Sequence, residues 1–255
     1  MMDIDSEGNE KLDTILTYVE ENDHIRQYWR SANIMAKERL ELNDHGEKHI
    51  EIVCKNSIRL LRLLKDEQEP GIVADYEMEW EDAEVVVVLA ALLHDVGHII
   101  HRYKHSEYSL PIAKDLVEEV LEDVYSKKER VIMQSEILHA IQSHHKKANP
   151  LTLEAGILRV ADSLDMEKGR ARKPQGNEDD VSIHTISALA IEKVEIKEGE
   201  EKPVRIEIEM SNSAGLFQLD ELARRKIEGS GLEDVIHLTA EIEGEEKNIL
   251  SQYEL

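Results

Sequence analysis

Nine of the twelve histidines in this chain, His45, His49, His94, His98, His101, His105, His139, His144 and His145, fall between positions 45 and 145. Their surroundings say more than their clustering. His94 and Asp95 interrupt the most apolar stretch of the chain, in AALLHDVGH, and an imidazole beside a carboxylate buried there without partners would cost several kcal/mol. A divalent cation compensates directly; a buried His–Asp hydrogen bond that only stiffens the core is the alternative. His49 has Val53 one turn on, which puts it on the same side of its helix as the apolar stripe. Asp162, in GILRVADSLDMEKGR, is a second acid set into an apolar helix. Two imidazoles and two carboxylates from three helices form a mixed nitrogen and oxygen set. It suits Mn, Fe, Co, Ni or Zn better than Ca, with Mg less natural beside histidine.

The elements that must position these groups follow from periodicity. From about Asn9 to Met166 apolar residues recur at three and four, the helical period. Leu12, Ile15, Leu16 and Val19 mark one helix; Ile25 to Leu40 a second; Ile50 to Leu64 a third, ending before Glu69-Pro70-Gly71. The segment from Asp82 to about His101 is apolar all round VVVVLAALL and reads as a helix at the centre of a bundle. A buried strand over Val85 to Val88 is the rival, disfavoured by a run that outlasts strand length. Further helices are expected over Ser106–Tyr125, Ser126–Lys147 and Leu151 to about Met166. After Gly169 the pattern changes. RARKPQGNEDD reads as a loop, and beyond it Ile191, Val194 and Ile196, then Val204 to Met210, then Val235 to Ala240 alternate as strands do. A helix over Leu216–Ile227 separates the last two. The expected fold class is therefore mainly α: a helical domain at 1–170, a linker at 171–189, and a small C-terminal α/β subdomain at 190–255 made of a hairpin, a helix and a return strand.

Composition narrows the partners. In 255 residues, 31 Lys and Arg stand against 55 Asp and Glu, a formal net charge of −24, which argues against a nucleic-acid or anionic-membrane partner. The apolar run Val85 to Leu93 is about half a bilayer span. One cysteine, Cys54, in an apolar helical pattern, fits a reducing compartment, so a cytoplasmic location is expected.

The segments HGEKHIEIV, AALLHDVGH and ADSLDMEKGR hold His49, His94-Asp95 and Asp162 in an order that resembles the HD-domain superfamily of metal-dependent phosphohydrolases, over roughly residues 40–170. The resemblance implies an HD-type helical bundle in which His49, His94, Asp95 and Asp162 hold one divalent metal and Asp95 can bridge to a second. His105 in HSEYSLPIA and His144-His145 in AIQSHHKK resemble the positions that supply second-metal ligands. His45, one turn before His49, is a further possibility, unless Asn43-Asp44 caps the helix and leaves His45 in the cap. His105 and His144 rank ahead of His145 and His45. Asp95 and His98 are the candidate catalytic residues, although His98, like His139, also suits a supporting role beside the ligands. Asp165, three residues past Asp162, can fix the tautomer of a ligand histidine.

A metal-activated water and a polarised phosphoryl oxygen give phosphoester or anhydride hydrolysis. In so acidic a chain the cations beside the motifs, Arg159, Lys168, Arg170, Arg172 and Lys173, are the expected grip on phosphate, with helix C-terminal or solvated cations as the alternative. The expected substrate is a small phosphorylated molecule, a nucleotide foremost. A nucleotide-sensing regulatory module and a diiron oxygenase-type relative are the alternatives. The C-terminal subdomain could gate the cleft, bind a regulator or make a homodimer contact.

Overall fold

The computed structural model describes residues 2–145, 148–170, 183–242 and 252–254. The helices are α1 (Glu10–Glu21), α2 (Asp23–Asn33, widening into a π-helical turn over Ile34–Arg39), α3 (Glu47–Leu63), α4 (Gly71–Tyr76), α5 (Trp80–Leu93), α6 (His105–Val120), α7 (Lys127–Ser143) and α8 (Leu153–Ser163). The core is organised around α5. Every residue from Val85 to Leu93 is buried, and α1, α3, α4, α6, α7 and α8 all pack against it. An apolar surface on all sides makes this the one helix that gains by being surrounded. Its start is fixed by a reciprocal cap between Glu79 and Asp82. Ser126 and Glu129 do the same for α7, and Thr152 accepts from the Ala155 N–H at the start of α8.

Helix α5 is shorter than its apolar run suggests. It stops at Leu93, and Val96–Ile99 forms a separate 3-10 turn instead of continuing toward His101. The cause is tertiary. A Cβ on Gly97 would lie 2.1 Å from the His105 carbonyl oxygen and 2.5 Å from the Ser109 nitrogen, so only glycine lets the start of α6 come this close. Ser109 locks the corner, accepting from the Gly97 N–H at 2.9 Å and donating to the His94 carbonyl at 2.7 Å.

Beyond α8, the described part of residues 171–189 contains a short helix, α9 (Ile183–Leu189). Strands β1 (Ile191–Glu198), β2 (Val204–Met210), β3 (Ile236–Ile242) and β4 (Gln252–Glu254) then form one sheet in the order β1-β2-β3-β4. β1 and β2 make the antiparallel hairpin; β2 and β3 run parallel, which requires a crossover. That crossover is helical, α10 (Gly215–Gln218), a π-helical turn (Leu219–Arg224) and α11 (Arg225–Ile227). Alternate residues Val204, Ile206, Ile208 and Met210 of β2 are buried, the pattern of a sheet with one covered face. The sheet is tied to the bundle through the Lys168 N–H, which donates to the Ile191 carbonyl at 2.7 Å. None of the helices among the described residues is long and apolar enough to cross a membrane.

Candidate metal centre

The end of α5, the start of α3 and the end of α8 meet at one buried point. Nε2 of His49 lies 3.2 Å from Nε2 of His94. Oδ2 of Asp95 is 3.4 Å from the His94 nitrogen and 3.6 Å from that of His49, and Oδ1 of Asp162 is 3.6 Å from the His94 nitrogen and 3.5 Å from that of His49. Four donors thus face one another from three helices. Ions of the Mn-to-Zn type bind such donors at about 2.0–2.2 Å, which sets ligand-to-ligand edges of roughly 3.0–3.4 Å, close to the spacings found.

A second cell adjoins the first through Asp95. Its other oxygen, Oδ1, is 3.3 Å from Nε2 of His105, and the Nε2 atoms of His105 and His144 are 3.0 Å apart. The Gly97 corner is what brings His105 here. His45 approaches from outside the helix: α3 begins at Glu47 with Gly46 as its cap, yet Nδ1 of His45 is 2.7 Å from Oδ2 of Asp95. The Asn33 side chain accepts from the His45 N–H at 3.0 Å and holds this loop in place.

The hydrogen positions of these imidazoles follow from their far sides. Nδ1 of His94 faces the Ala91 carbonyl at 2.8 Å, Nδ1 of His105 the Arg102 carbonyl at 3.1 Å, and Nδ1 of His144 the Ile141 carbonyl at 2.6 Å. A carbonyl only accepts, so each Nδ1 carries the hydrogen, and in its neutral form each ring turns an Nε2 lone pair inward. Lone pairs aimed at each other at 3.0 Å repel unless a positive ion lies between them. The donor chemistry therefore fits a divalent metal.

A profile of the family described as HD domain matches residues 48–167, enclosing His49, His94, Asp95, Asp162 and Asp165. The uncharacterized protein MJ1020 of Methanocaldococcus jannaschii is 43% identical over 225 residues, 88% of this chain and 86% of that protein. The chain belongs to the HD-domain superfamily. The profile leaves out His45 and the entire C-terminal subdomain, whereas the likeness to MJ1020 is long enough to run well into that subdomain.

In this HD site, charge is balanced by neighbours rather than by solvent. Burial pushes the Asp95 carboxyl up, but the imidazoles of His94, His98 and His45 outweigh it and hold Asp95 well below the usual carboxylate range. Burial acts the same way on Asp162, and there Lys226, His49 and His94 reverse it. Burial alone would lower His49; hydrogen bonds to Asp162 and Asp165 instead raise it to about 10. That is a strong local demand for positive charge. Burial dominates in the second cell, lowering His105 to about 4 and His144 well below its ordinary value, so these two rings offer free lone pairs at neutral pH.

Asp165 accepts from Nδ1 of His49 at 2.7 Å and receives Nε of Arg170 at 2.9 Å. Arg170 also donates to the Asp44 carbonyl at 3.1 Å, tying the His45 loop to the end of α8. Arg170, one of the cations expected to grip phosphate, thus positions Asp165 and Asp44. Lys168, another of them, is paired with Glu192 of β1. Arg159 is placed differently. It is buried, and its guanidinium donates to the carbonyls of Ala148, Arg225, Lys226 and Glu228, so it fastens the C-terminal subdomain and does not face the ligand nest. Arg172 and Lys173 lie outside the described residues.

His98 is fully buried, stacks on His105 with ring centroids 4.5 Å apart, and has Nε2 3.4 Å from Oδ1 of Asp95 and 3.0 Å from Nη1 of Arg102. The His145 ring lies edge-on to His105 at 5.9 Å, farther from the nest than His144. His139 accepts from the Leu151 N–H at 3.0 Å and braces the loop before α8. One residue of the site was missed altogether by sequence reasoning. Lys226, from α11, places Nζ 3.0 Å from Oδ2 of Asp162 and donates to the His144 carbonyl. Its only sequence signal is membership of the cationic run Arg224-Arg225-Lys226, which resembles an ordinary solvated helix face.

Proposed function

We propose that this protein is a metal-dependent phosphohydrolase acting on a phosphate ester or anhydride, with a nucleotide as the substrate class, in the reducing interior of the cell. HD membership supports hydrolase chemistry in general. The observation that carries the finer reading is the convergence of His49, His94, Asp95 and Asp162, with the second oxygen of Asp95 turned to His105 and His144. The first four residues would hold one ion and Asp95, His105 and His144 a second. A metal held by these residues would supply Lewis-acid polarisation of a phosphoryl oxygen and a more acidic bound water.

The chain's own groups do the rest. Asp165 fixes the His49 ring with its Nε2 inward, and the Ala91, Arg102 and Ile141 carbonyls do the same for His94, His105 and His144, so no reorientation is needed when substrate arrives. Among the described cations beside the nest, Arg102 is solvent-exposed and touches His98. It is placed to meet a phosphate arriving from solvent, with the planar fork suited to two oxygens. His98 links this arginine to Asp95 and can accept or return a proton at Nε2. Cys54, buried and pushed up by burial, remains a thiol and takes no part.

The test is a panel of nucleotides, phosphomonoesters and phosphodiesters assayed with Mn, Co, Fe, Ni, Zn or Mg, run beside elemental analysis of protein purified without chelator. Release of phosphate or a nucleoside monophosphate by wild type, lost in His94→Ala, is the expected result. Bound metal without turnover on any member of the panel would favour a sensing role, and oxygen consumption with ferrous iron an oxidative one.

A further inference from the structure

Helix α8 presents three residues at a spacing of three, Gly156, Arg159 and Asp162, to the segment Arg225–Ser230 of the C-terminal subdomain. A Cβ on Gly156 would come within 2.4 Å of the Ser230 carbonyl oxygen, so glycine is what allows this approach. Arg159 then grips the backbone, its Nε donating to the carbonyl of Lys226 at 3.1 Å and its Nη2 to those of Arg225 and Glu228 at 3.3 Å. With the main chain of Lys226 held, its side chain runs into the site and is only 14% exposed. There the ammonium meets Oδ2 of Asp162, while Oδ1 of the same carboxylate faces His49 and His94. Docking of the subdomain is already secured by Gly156, Arg159 and the bond between Lys168 and Ile191; the lysine's ammonium is shared between one oxygen of a candidate metal ligand and the carbonyl of His144.

We propose that Lys226 is a positioning residue of the HD site. It holds Oδ2 of Asp162 away from the ligand nest, so that this carboxylate engages a metal through Oδ1 alone and a neighbouring coordination position stays available to water or substrate. The inference rests on the reading that His49, His94, Asp95 and Asp162 hold a metal. It makes the C-terminal subdomain part of the reacting site, although the profile match ends at residue 167. A carboxylate binds a cation through one oxygen or two, and an ammonium on the second oxygen withdraws its lone pairs and sets two positive charges on opposite oxygens.

The experiment uses the full chain loaded with Mn²⁺ and measures water-proton relaxivity per bound ion, which reads exchangeable water on the metal, in wild type, Lys226→Gln and Lys226→Arg. In Lys226→Gln, Asp162 is free to use both oxygens, so relaxivity falls while Mn²⁺ affinity is kept or rises; Lys226→Arg restores wild-type relaxivity. Turnover in Lys226→Gln drops about 10- to 100-fold, the range for partners that orient a metal ligand, with KM nearly unchanged. Wild-type relaxivity and turnover in Lys226→Gln would overturn the proposal. So would loss of the fold in that variant, which would make the lysine a docking residue. If wild type itself hydrolyses nothing, the phosphohydrolase reading fails while the relaxivity comparison still decides this one.

Discussion

Helices α7 and α8 carry buried acid–histidine chemistry to two places, and the two behave in opposite ways. At one end, His144 caps α7 and Asp162 ends α8 in the ligand nest. Eight residues earlier on each helix, about 12 Å away along the axis, Glu136 and Glu154 are also buried. Glu154 is satisfied by the backbone N–H groups of Gly71 and Ile72 at 2.9 and 3.0 Å, where it caps α4. Glu136 has no such recourse: its Oε2 is buried with no partner among the described residues. Burial, then the charges of Glu154 and Asp75, push its carboxyl up to about 7. Burial pushes Asp162 the same way and loses, because two imidazoles and an ammonium surround it. A buried acid is therefore not a sign of a metal site; inward-facing imidazole lone pairs beside it are.

The strongest way to break that contrast is Asp95→Ala. Asp95 faces both cells, so its loss removes a candidate ligand from each and leaves five histidines without their common counter-charge. Metal content by elemental analysis and turnover should both collapse, beyond the roughly 10- to 100-fold cost typical of an outer partner; retained stoichiometric metal would contradict the site. Arg159→Met comes next. It leaves the carbonyls of Ala148, Arg225, Lys226 and Glu228 without their charged donor, at a cost of about 3 kcal/mol, read as a lowered urea midpoint. It should also weaken turnover in folded protein, since Lys226 loses its anchor.

How much of this was legible in the sequence depended on whether a residue contradicted its surroundings. His49, His94, Asp95 and Asp162 sit in apolar helical runs, so each announces itself as a polar group needing a partner. The alternation over β1 to β3 was equally plain, because a sheet with one covered face writes period two into the chain. The end of α5 was hidden: the apolar residues continue into Val96, Ile99 and Ile100, and the break depends on the approach of α6 to Gly97. Arg159 illustrates the limit of local spacing. Lying three residues before Asp162 it shares that side of α8, but three of the four carbonyls it meets belong to a segment more than sixty residues away. Lys226 was illegible for the converse reason, since a lysine among arginines on a short helix contradicts nothing until the fold brings it to Asp162.

A gentler cut at the nest is Asp165→Ala. It removes the acceptor for Nδ1 of His49 and frees Arg170, so the ring can rotate or change tautomer while all the nest-facing donors remain. Metal affinity measured by competition with a chelating dye should fall about 10- to 100-fold, equivalent to roughly 1.4–2.7 kcal/mol. Arg170→Met should follow in the same direction with a smaller loss, because Asp165 keeps its contact to His49.

The smallest effect belongs to the other acid group and concerns stability alone. Glu136 has a folded-state pKa near 7 against an ordinary value of 4.5, so folding favours its protonated form. Below about pH 4.5 both states hold the proton and nothing is lost. As pH rises from there toward 7 the unfolded chain ionises first, and the folded protein loses stability across that window. Glu136→Gln keeps the shape and removes the ionisation. It should match wild type near pH 4.5 and exceed it by about 1–2 kcal/mol at pH 8, as the difference between the two urea midpoints at each pH. Metal content should not change, because Glu136 has no inward-facing imidazole beside it. A stabilisation equally large at both pH values would mean that packing, not charge, sets this corner apart from the nest.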